Sequence, residues 1–164
     1  AWSRSVRTRP RRSRRSAPNV ATLRLLCGRS VAEVTRTLDA IEEHLLEAGA
    51  AVQDAMQLRI VAEEIVTNIA RCAWPAGERR EFAVELTVDA RLDGLHVRMT
   101  TVDDGVPFDP TTQPTPNVDA GLDERQIGGL GMLLVREMTD EQHYAREDGR
   151  NRFSVERLLH RATG

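Results

Sequence analysis

Two polar side chains interrupt an apolar pattern in the middle of the sequence. Glu64 and Asn68 are four residues apart, so on a helix they share one face. The apolar stripe of the same segment lies on another face and contains Leu58, Val61 and Ile65. On an exposed helix a pair of this kind is usually a solvated surface. The pair is therefore a candidate that needs support from the rest of the chain.

Two glycine-containing segments follow. Asp103 comes directly after a predicted strand, and Gly105 lets the backbone turn close past whatever it faces, although the same residues are ordinary turn formers. Further on, the glycine segment 128–131 reads Gly-Gly-Leu-Gly and precedes a predicted helix. Free backbone N–H groups and the helix dipole favour an anion such as phosphate at such a position.

The glycine segment does not match two common phosphate-binding motifs. The chain contains no lysine, and Gly-x-x-x-x-Gly-Lys-Ser/Thr is absent, which excludes a Walker-type ATPase. The segment also does not follow a strand within a βαβ unit, which disfavours a Rossmann site. The four histidines lie on separate predicted elements and form neither a Ser/His/Asp set nor a zinc spacing.

Hydrophobic periodicity predicts the elements that position these residues. Strands are predicted over 20–27, 82–88, 95–101, 141–146 and 151–158, and helices over about 30–49, 54–74 and 132–138. Ser30 and Glu33 form a capping box for the first helix, and Asp93-Gly94 is a hairpin turn. Residues 111–127 have no periodicity. We expect an α+β sandwich, with a mostly antiparallel sheet covered by helices on one face.

Composition limits the class of protein. The chain has 164 residues and is 40% hydrophobic, enough for one domain with a core. It has no apolar run of about 18 residues and no apolar segment after its basic start, so we expect no membrane span, no secretory signal and a cytoplasmic location. The cysteines, Cys27 and Cys72, are too few for a disulfide framework or a metal site.

The beginning of the chain differs in charge from the remainder. Residues 1–16 contain seven arginines and no acidic residue, which leaves 16 basic and 25 acidic side chains elsewhere. We predict a disordered tail over 1–19 and one domain over 20–164. A nucleic-acid-binding arm is the alternative. Because the segment has few aromatic residues, nucleic acid is not an expected partner.

Together and in this order, the three segments resemble the motifs of the histidine-kinase-like (GHKL, Bergerat-fold) ATPases. The resemblance is strongest to the bacterial anti-sigma regulatory factor serine/threonine kinases and covers about residues 20–160. Residues 64–68 resemble the N box, residues 103–107 the first glycine box, and Gly129-Leu130-Gly131 the second. The resemblance implies a Bergerat ATP-binding fold, with ATP and Mg²⁺ as cofactors.

The resemblance also implies roles for residues of the N box and of the first glycine box. Asn68 would bind Mg²⁺ through its amide oxygen, and Glu64 would act as general base for transfer to a serine or threonine. Glu63 is expected to point elsewhere. Asp103 would accept a hydrogen bond from the adenine 6-amino group, and Gly105 would permit close approach of the base.

The second glycine box is implied to lie at the phosphates. Gly129, Leu130 and Gly131 would wrap them at the end of a lid over 111–128. Arg125 is a candidate phosphate contact, and an exposed loop arginine is its alternative interpretation.

The resemblance is not complete. Pro107 stands where the family usually has glycine, and Cys72-Ala73-Trp74 replaces a common histidine–aromatic pair. The phosphoacceptor helices of a sensor histidine kinase and the extra domains of a gyrase- or chaperone-type member are not recognised. The expected function is an anti-sigma factor and kinase that phosphorylates a STAS-domain anti-anti-sigma protein and sequesters a sigma factor, with a homodimer possible. The alternative is a non-catalytic ATP-binding regulatory module.

Overall fold

A computed structural model of the chain describes residues 19–114 and 129–163. Its elements in chain order are β1 (Asn19–Gly28), α1 (Val31–Glu47), α2 (Val52–Cys72), β2 (Glu81–Arg91), β3 (Gly94–Asp103), a 3₁₀ turn (Pro110–Thr112), α3 (Gly129–Glu137), β4 (Glu141–Glu147) and β5 (Arg150–Leu159). Strand β1 begins at Asn19, one residue before the predicted start of the domain at residue 20. Asn19 pairs with Ala90 of β2. The rest of the predicted tail and residues 115–128 of the predicted lid lie outside the described residues.

The strands form one sheet in the order β1-β2-β3-β5-β4, and each pairing is antiparallel. Alternate side chains of the central strands are buried against the helices: Phe82, Val84, Leu86 and Val88 on β2, and Leu95, Val97 and Met99 on β3. The opposite face carries ion pairs such as Arg98–Glu156. This period of two confirms the predicted sheet with helices on one face.

Helix α1 begins where its capping residues predict. Ser30 Oγ accepts a hydrogen bond from the Glu33 N–H at 3.3 Å, and the Ser30 N–H donates to Glu33 Oε2 at 3.1 Å. The two contacts satisfy backbone donors that a helix start leaves unpaired. They fix the point at which the chain leaves β1 and crosses to the helical layer.

Helix α2 is the central element of the helical layer. Its N-cap is Ala51, which makes no side-chain capping bond. The start at Val52, two residues before the predicted one, therefore has no capping signal in the sequence. One face is buried over the sheet and against α1, and it includes Leu58, Val61 and Ile65. Among the described residues, no helix is long and apolar enough to cross a membrane.

Arg29 fastens the end of α2 to the end of β1. Its Nε donates to the carbonyl of Ala70 and its Nη1 to those of Pro75 and Glu78, all at 2.8 Å. Its guanidinium carbon also lies 5.7 Å from the ring centroid of Trp74. A cation near a helix C-terminus satisfies carbonyls that have no partner within the helix. The C-terminal end of α2 and the segment after it are therefore tied to the residue that follows β1.

Candidate functional site

A cavity of about 160 Å³ lies between the second half of α2, the ends of β3 and β5, and α3. Its lining residues are Ile65, Asn68, Ile69, Cys72, Ala73, Thr101, Asp103, Val106, Phe108, Pro110, Met132, Asn151 and Phe153. Pockets for complete small ligands are usually about 300–1,000 Å³. The cavity is thus of a size for one flat ring system of a larger ligand.

Asp103 is the buried acid of the cavity. It is the last residue of β3 and only 7% exposed. Its Oδ1 accepts hydrogen bonds from the Gly105 N–H and from Asn151 Nδ2, both at 2.9 Å. Both of these bonds end on one oxygen, and a carboxylate has acceptor capacity on two. The second oxygen can therefore serve a donor on a ligand.

Asn151 was not among the residues predicted from the sequence. It lies directly opposite Asp103 in the β3–β5 register and is 5% exposed. Besides Asp103, its Nδ2 donates to the Val106 carbonyl at 2.8 Å, while its Oδ1 accepts from the Tyr144 hydroxyl and Arg146 Nη1 at 2.8 and 2.7 Å. A signal was present in the sequence: Asn151 occupies an inward position of β5, in alternation with Phe153 and Val155.

Gly105 is required by the protein's own packing. A Cβ at this position would overlap the carbonyl oxygen of Ala73 and lie 2.6 Å from the Ala73 Cβ. The next residue, Val106, donates its N–H to the Ala73 carbonyl at 2.8 Å. Trp74 adds a bond from its indole N–H to Asp104 Oδ1 at 2.9 Å. The first glycine box is therefore joined to the end of α2.

Glu64 and Asn68 face the site from α2, whereas Glu63 is exposed, as expected. Asn68 lines the cavity, and both side chains of the pair are half-buried. A Cβ added to Gly131 would overlap Glu64 Oε2. The carboxylate thus lies directly against the backbone near the start of α3, and the structure brings the N box and both glycine boxes together.

The remaining predicted residues are placed less fully. Gly129 is the first residue of α3, and Leu130 is 53% exposed. Arg125 lies outside the described residues. The predicted lid, 111–128, begins within the 3₁₀ turn at 110–112, where Asp109 Oδ1 accepts from the Thr111 N–H at 2.9 Å. Roles for these residues stay predictions.

Three possible metal ligands also meet on the opposite face of the sheet. Side-chain atoms of Glu141, His143 and Glu156 lie within 4.8 Å of one another. Glu156 is already paired with Arg98 at 2.6 Å, and Glu141 and His143 are exposed. This cluster is on the far side of the sheet from the cavity.

Comparison with known proteins places the chain in a family. Residues 29–156 match the model of the histidine kinase-like ATPase domain. The serine/threonine-protein kinase BtrW of Bordetella bronchiseptica is 31% identical over 98 residues, which cover 60% of this chain and 66% of BtrW. The serine-protein kinase RsbW of Listeria monocytogenes is 31% identical over 106 residues, which cover 62% and 65%. The chain therefore spans just under two thirds of the length of these relatives.

Solved structures confirm the fold. The RsbU and RsbW domains of Rv1364c from Mycobacterium tuberculosis align with a TM-score of 0.56 at 14% identity, over 87% of this chain and 35% of that one. A chain of the SiaB–SiaC complex from Pseudomonas aeruginosa aligns with a TM-score of 0.51 at 22% identity, over 84% and 89%. With its sheet order, its three converging motifs and a family match over most of its length, this chain belongs to the histidine kinase-like ATPase domain family.

Proposed function

We propose that this chain binds ATP and Mg²⁺ and transfers the γ-phosphoryl group to a serine or threonine of a STAS-type anti-anti-sigma protein. In its other state it holds a sigma factor, so that mutually exclusive binding regulates transcription in the cytoplasm. The observation that carries the proposal is that Asp103 and Asn68 line one cavity while Glu64 lies against Gly131 beside it. The names of the two kinase relatives support it.

The cavity suits the adenine ring. Ile65, Met132 and Phe153 offer apolar walls, and the volume matches a ring rather than a whole nucleotide. Asp103 has one oxygen engaged by the protein and one that can accept from the 6-amino group of adenine. Guanine carries a carbonyl at that position, so two acceptors would face each other. ATP is therefore preferred over GTP.

The phosphate groups are assigned to the end of the cavity near α3. The amide oxygen of Asn68 is a hard donor of the kind that Mg²⁺ prefers, and the ion neutralises phosphate charge when bound. Backbone N–H groups of Gly129, Leu130 and Gly131 at a helix start favour an anion. Arg125 is proposed as a further phosphate contact.

Glu64 is assigned as the general base. An acceptor hydroxyl bound next to Gly131 lies within reach of its carboxylate. Glu64 takes the hydroxyl proton while the hydroxyl oxygen bonds to the γ-phosphorus and the bond to the β,γ-bridging oxygen breaks. The products are ADP and a phosphoserine or phosphothreonine. A module that only binds ATP has no use for a base at this position.

An exposed apolar row on α2 supports a protein as the acceptor. Val52, Met56 and Ile60 follow one another at four-residue spacing and are 63%, 53% and 43% exposed. The next two positions of the row are Glu64 and Asn68. A protein that packs on this row brings a hydroxyl-bearing segment to Glu64. Exposed apolar surface of this kind is typical of protein contacts.

Phosphoryl transfer is the direct test. The protein is incubated with radiolabelled ATP, Mg²⁺ and the STAS-domain proteins of its own operon, and we expect label on a serine or threonine of one of them. Met56→Glu should reduce this transfer about tenfold or more, because a charge enters an apolar contact, and should leave ATP binding unchanged. Leu92→Glu is the matched control, since Leu92 is fully exposed in the β2–β3 turn. ATP binding without transfer to any STAS protein would favour the non-catalytic module.

The reactivity of Cys72 offers a second way to detect bound nucleotide. Cys72 is exposed and lines the cavity, whereas Cys27 is buried and burial raises the pKa of its thiol. The thiolate is the reactive form, so an alkylating reagent should modify Cys72 and spare Cys27. We expect ATP with Mg²⁺ to slow the alkylation of Cys72 and GTP to have less effect. Equal rates with and without millimolar ATP would contradict the proposed binding site, and Cys72→Ser identifies the labelled residue.

A further inference from the structure

The side-chain amide of Asn151 has a fixed orientation. Both hydrogens of Nδ2 are used, one on Asp103 Oδ1 and one on the Val106 carbonyl. Its Oδ1 receives the Tyr144 hydroxyl and Arg146 Nη1. If the amide were turned over, its hydrogens would face these two donors and its oxygen would face two acceptors. The surroundings therefore select one arrangement.

We propose that Asn151 is a positioning residue that sets nucleotide specificity through Asp103, an inference that rests on the proposed function. The carboxylate of Asp103 is held at Oδ1 by two donors, Asn151 Nδ2 and the Gly105 N–H. With Oδ1 held in this way, rotation of the carboxylate is restricted. Its Oδ2 is then kept in one position for the amino group of adenine.

The same amide also positions part of the apolar wall. The Val106 carbonyl accepts a hydrogen bond from Asn151 Nδ2, which ties the segment after β3 to β5. Arg146 Nη1 donates to the Gly105 carbonyl at 3.2 Å and also to Asn151 Oδ1. Val106 and Phe108 of this segment line the cavity. One side chain thus orients both the acceptor that reads the amino group and a wall that contacts the ring.

The test separates positioning from general support of the fold. Binding of ATP is compared with binding of purine riboside triphosphate, which has the same ring and phosphates but lacks the 6-amino group. A fixed Asp103 should make the wild type prefer ATP by about tenfold or more, the usual effect of a hydrogen bond to a charged group. A variant that is merely less well folded weakens both ligands alike and keeps this ratio.

Asn151→Thr and Asn151→Ala are the informative variants. Threonine retains one donor for Asp103 but cannot also hold the Val106 carbonyl, so the ratio should fall to about threefold, and alanine should bring it close to one. Ser154→Ala is the matched control, because Ser154 bonds Thr100 across the same two strands at 2.9 Å on the opposite face of the sheet. This control should keep the wild-type ratio.

The outcomes distinguish the two proposals. If the wild type binds ATP with a clear preference and both Asn151 variants keep it, the assignment of Asn151 is wrong and the proposed function stands. If the wild type binds neither nucleotide, the proposed function fails. If the variants fold poorly, the assignment can still be tested on the wild type by NMR. The side-chain amide resonances of Asn151 should shift more with ATP than with purine riboside triphosphate. Equal shifts would overturn the assignment.

Discussion

The two ends of the cavity are built in different ways. At the end near β5, Asp103 and Asn151 are almost fully buried and joined by hydrogen bonds to each other and to the surrounding loop. At the end near α3, Glu64 and Asn68 are half-buried, and neither side chain has a hydrogen-bond partner within residues 19–114 and 129–163.

This difference separates recognition from chemistry. A group that reads a base must be in place before the ligand arrives, and its hydrogen bonds also stabilise the fold. Groups that act on phosphate and on an incoming hydroxyl must keep their acceptor atoms available. Changes at the first end should therefore affect both stability and binding, and changes at the second should affect catalysis with little effect on stability.

Glu64→Gln should give the largest effect. The amide has nearly the same shape as the carboxylate but cannot take a proton, so phosphoryl transfer should fall by about 10²–10⁴-fold. ATP binding and the midpoint of thermal unfolding should stay close to wild type. Undiminished transfer in single-turnover assays would reject Glu64 as the base.

Asp103→Asn comes next. The variant replaces the acceptor of the adenine amino group and places an amide beside Asn151 Nδ2, so we expect ATP affinity to fall about 10–100-fold by calorimetry. Unlike Glu64→Gln, it should also lower the free energy of unfolding, because a buried bond is lost. An unchanged unfolding midpoint would show that the end of the cavity near β5 depends less on the hydrogen bonds of Asp103 and Asn151 than we infer.

Asn68→Ala should remove the dependence of nucleotide affinity on Mg²⁺. We expect ATP affinity in Mg²⁺ to fall about tenfold, to the value that the wild type shows in EDTA. The variant and the wild type should then bind equally in EDTA. A variant whose affinity still rises with Mg²⁺ would place the ion on other residues.

Two glycine substitutions compare the ends directly. In Gly105→Ala the new Cβ meets the backbone of Ala73, which cannot move cheaply, so unfolding should be easier by about 1–3 kcal/mol. In Gly131→Ala it meets only the end of the Glu64 side chain, which can rotate away. That variant should keep most of its stability in urea denaturation and lose transfer activity. The opposite pattern would contradict the distinction between the ends.

The sequence predicted the fold well because periodicity records burial. Phe82, Val84 and Leu86 alternate with polar residues, and the structure buries them on one face. The three motifs were recognisable because their residue types and order are unusual together. Asn151 was not found, because its inward position on β5 marks it only as a buried polar residue. Its importance depends on pairing with Asp103, 48 positions away. The contact of Gly105 with Ala73 could not be predicted for the same reason, because it is a property of packing.

Arg29 has a practical consequence for anyone who shortens the chain. All three motifs lie after Arg29 in the sequence. A fragment that starts beyond Arg29 would therefore still contain the N box and both glycine boxes. Such a fragment would leave the carbonyl oxygens of Ala70, Pro75 and Glu78 without the donor that now serves them. The smallest unit that keeps its pocket in shape therefore has to include Arg29, which directly follows β1, and truncations are better planned around this residue than around the motifs.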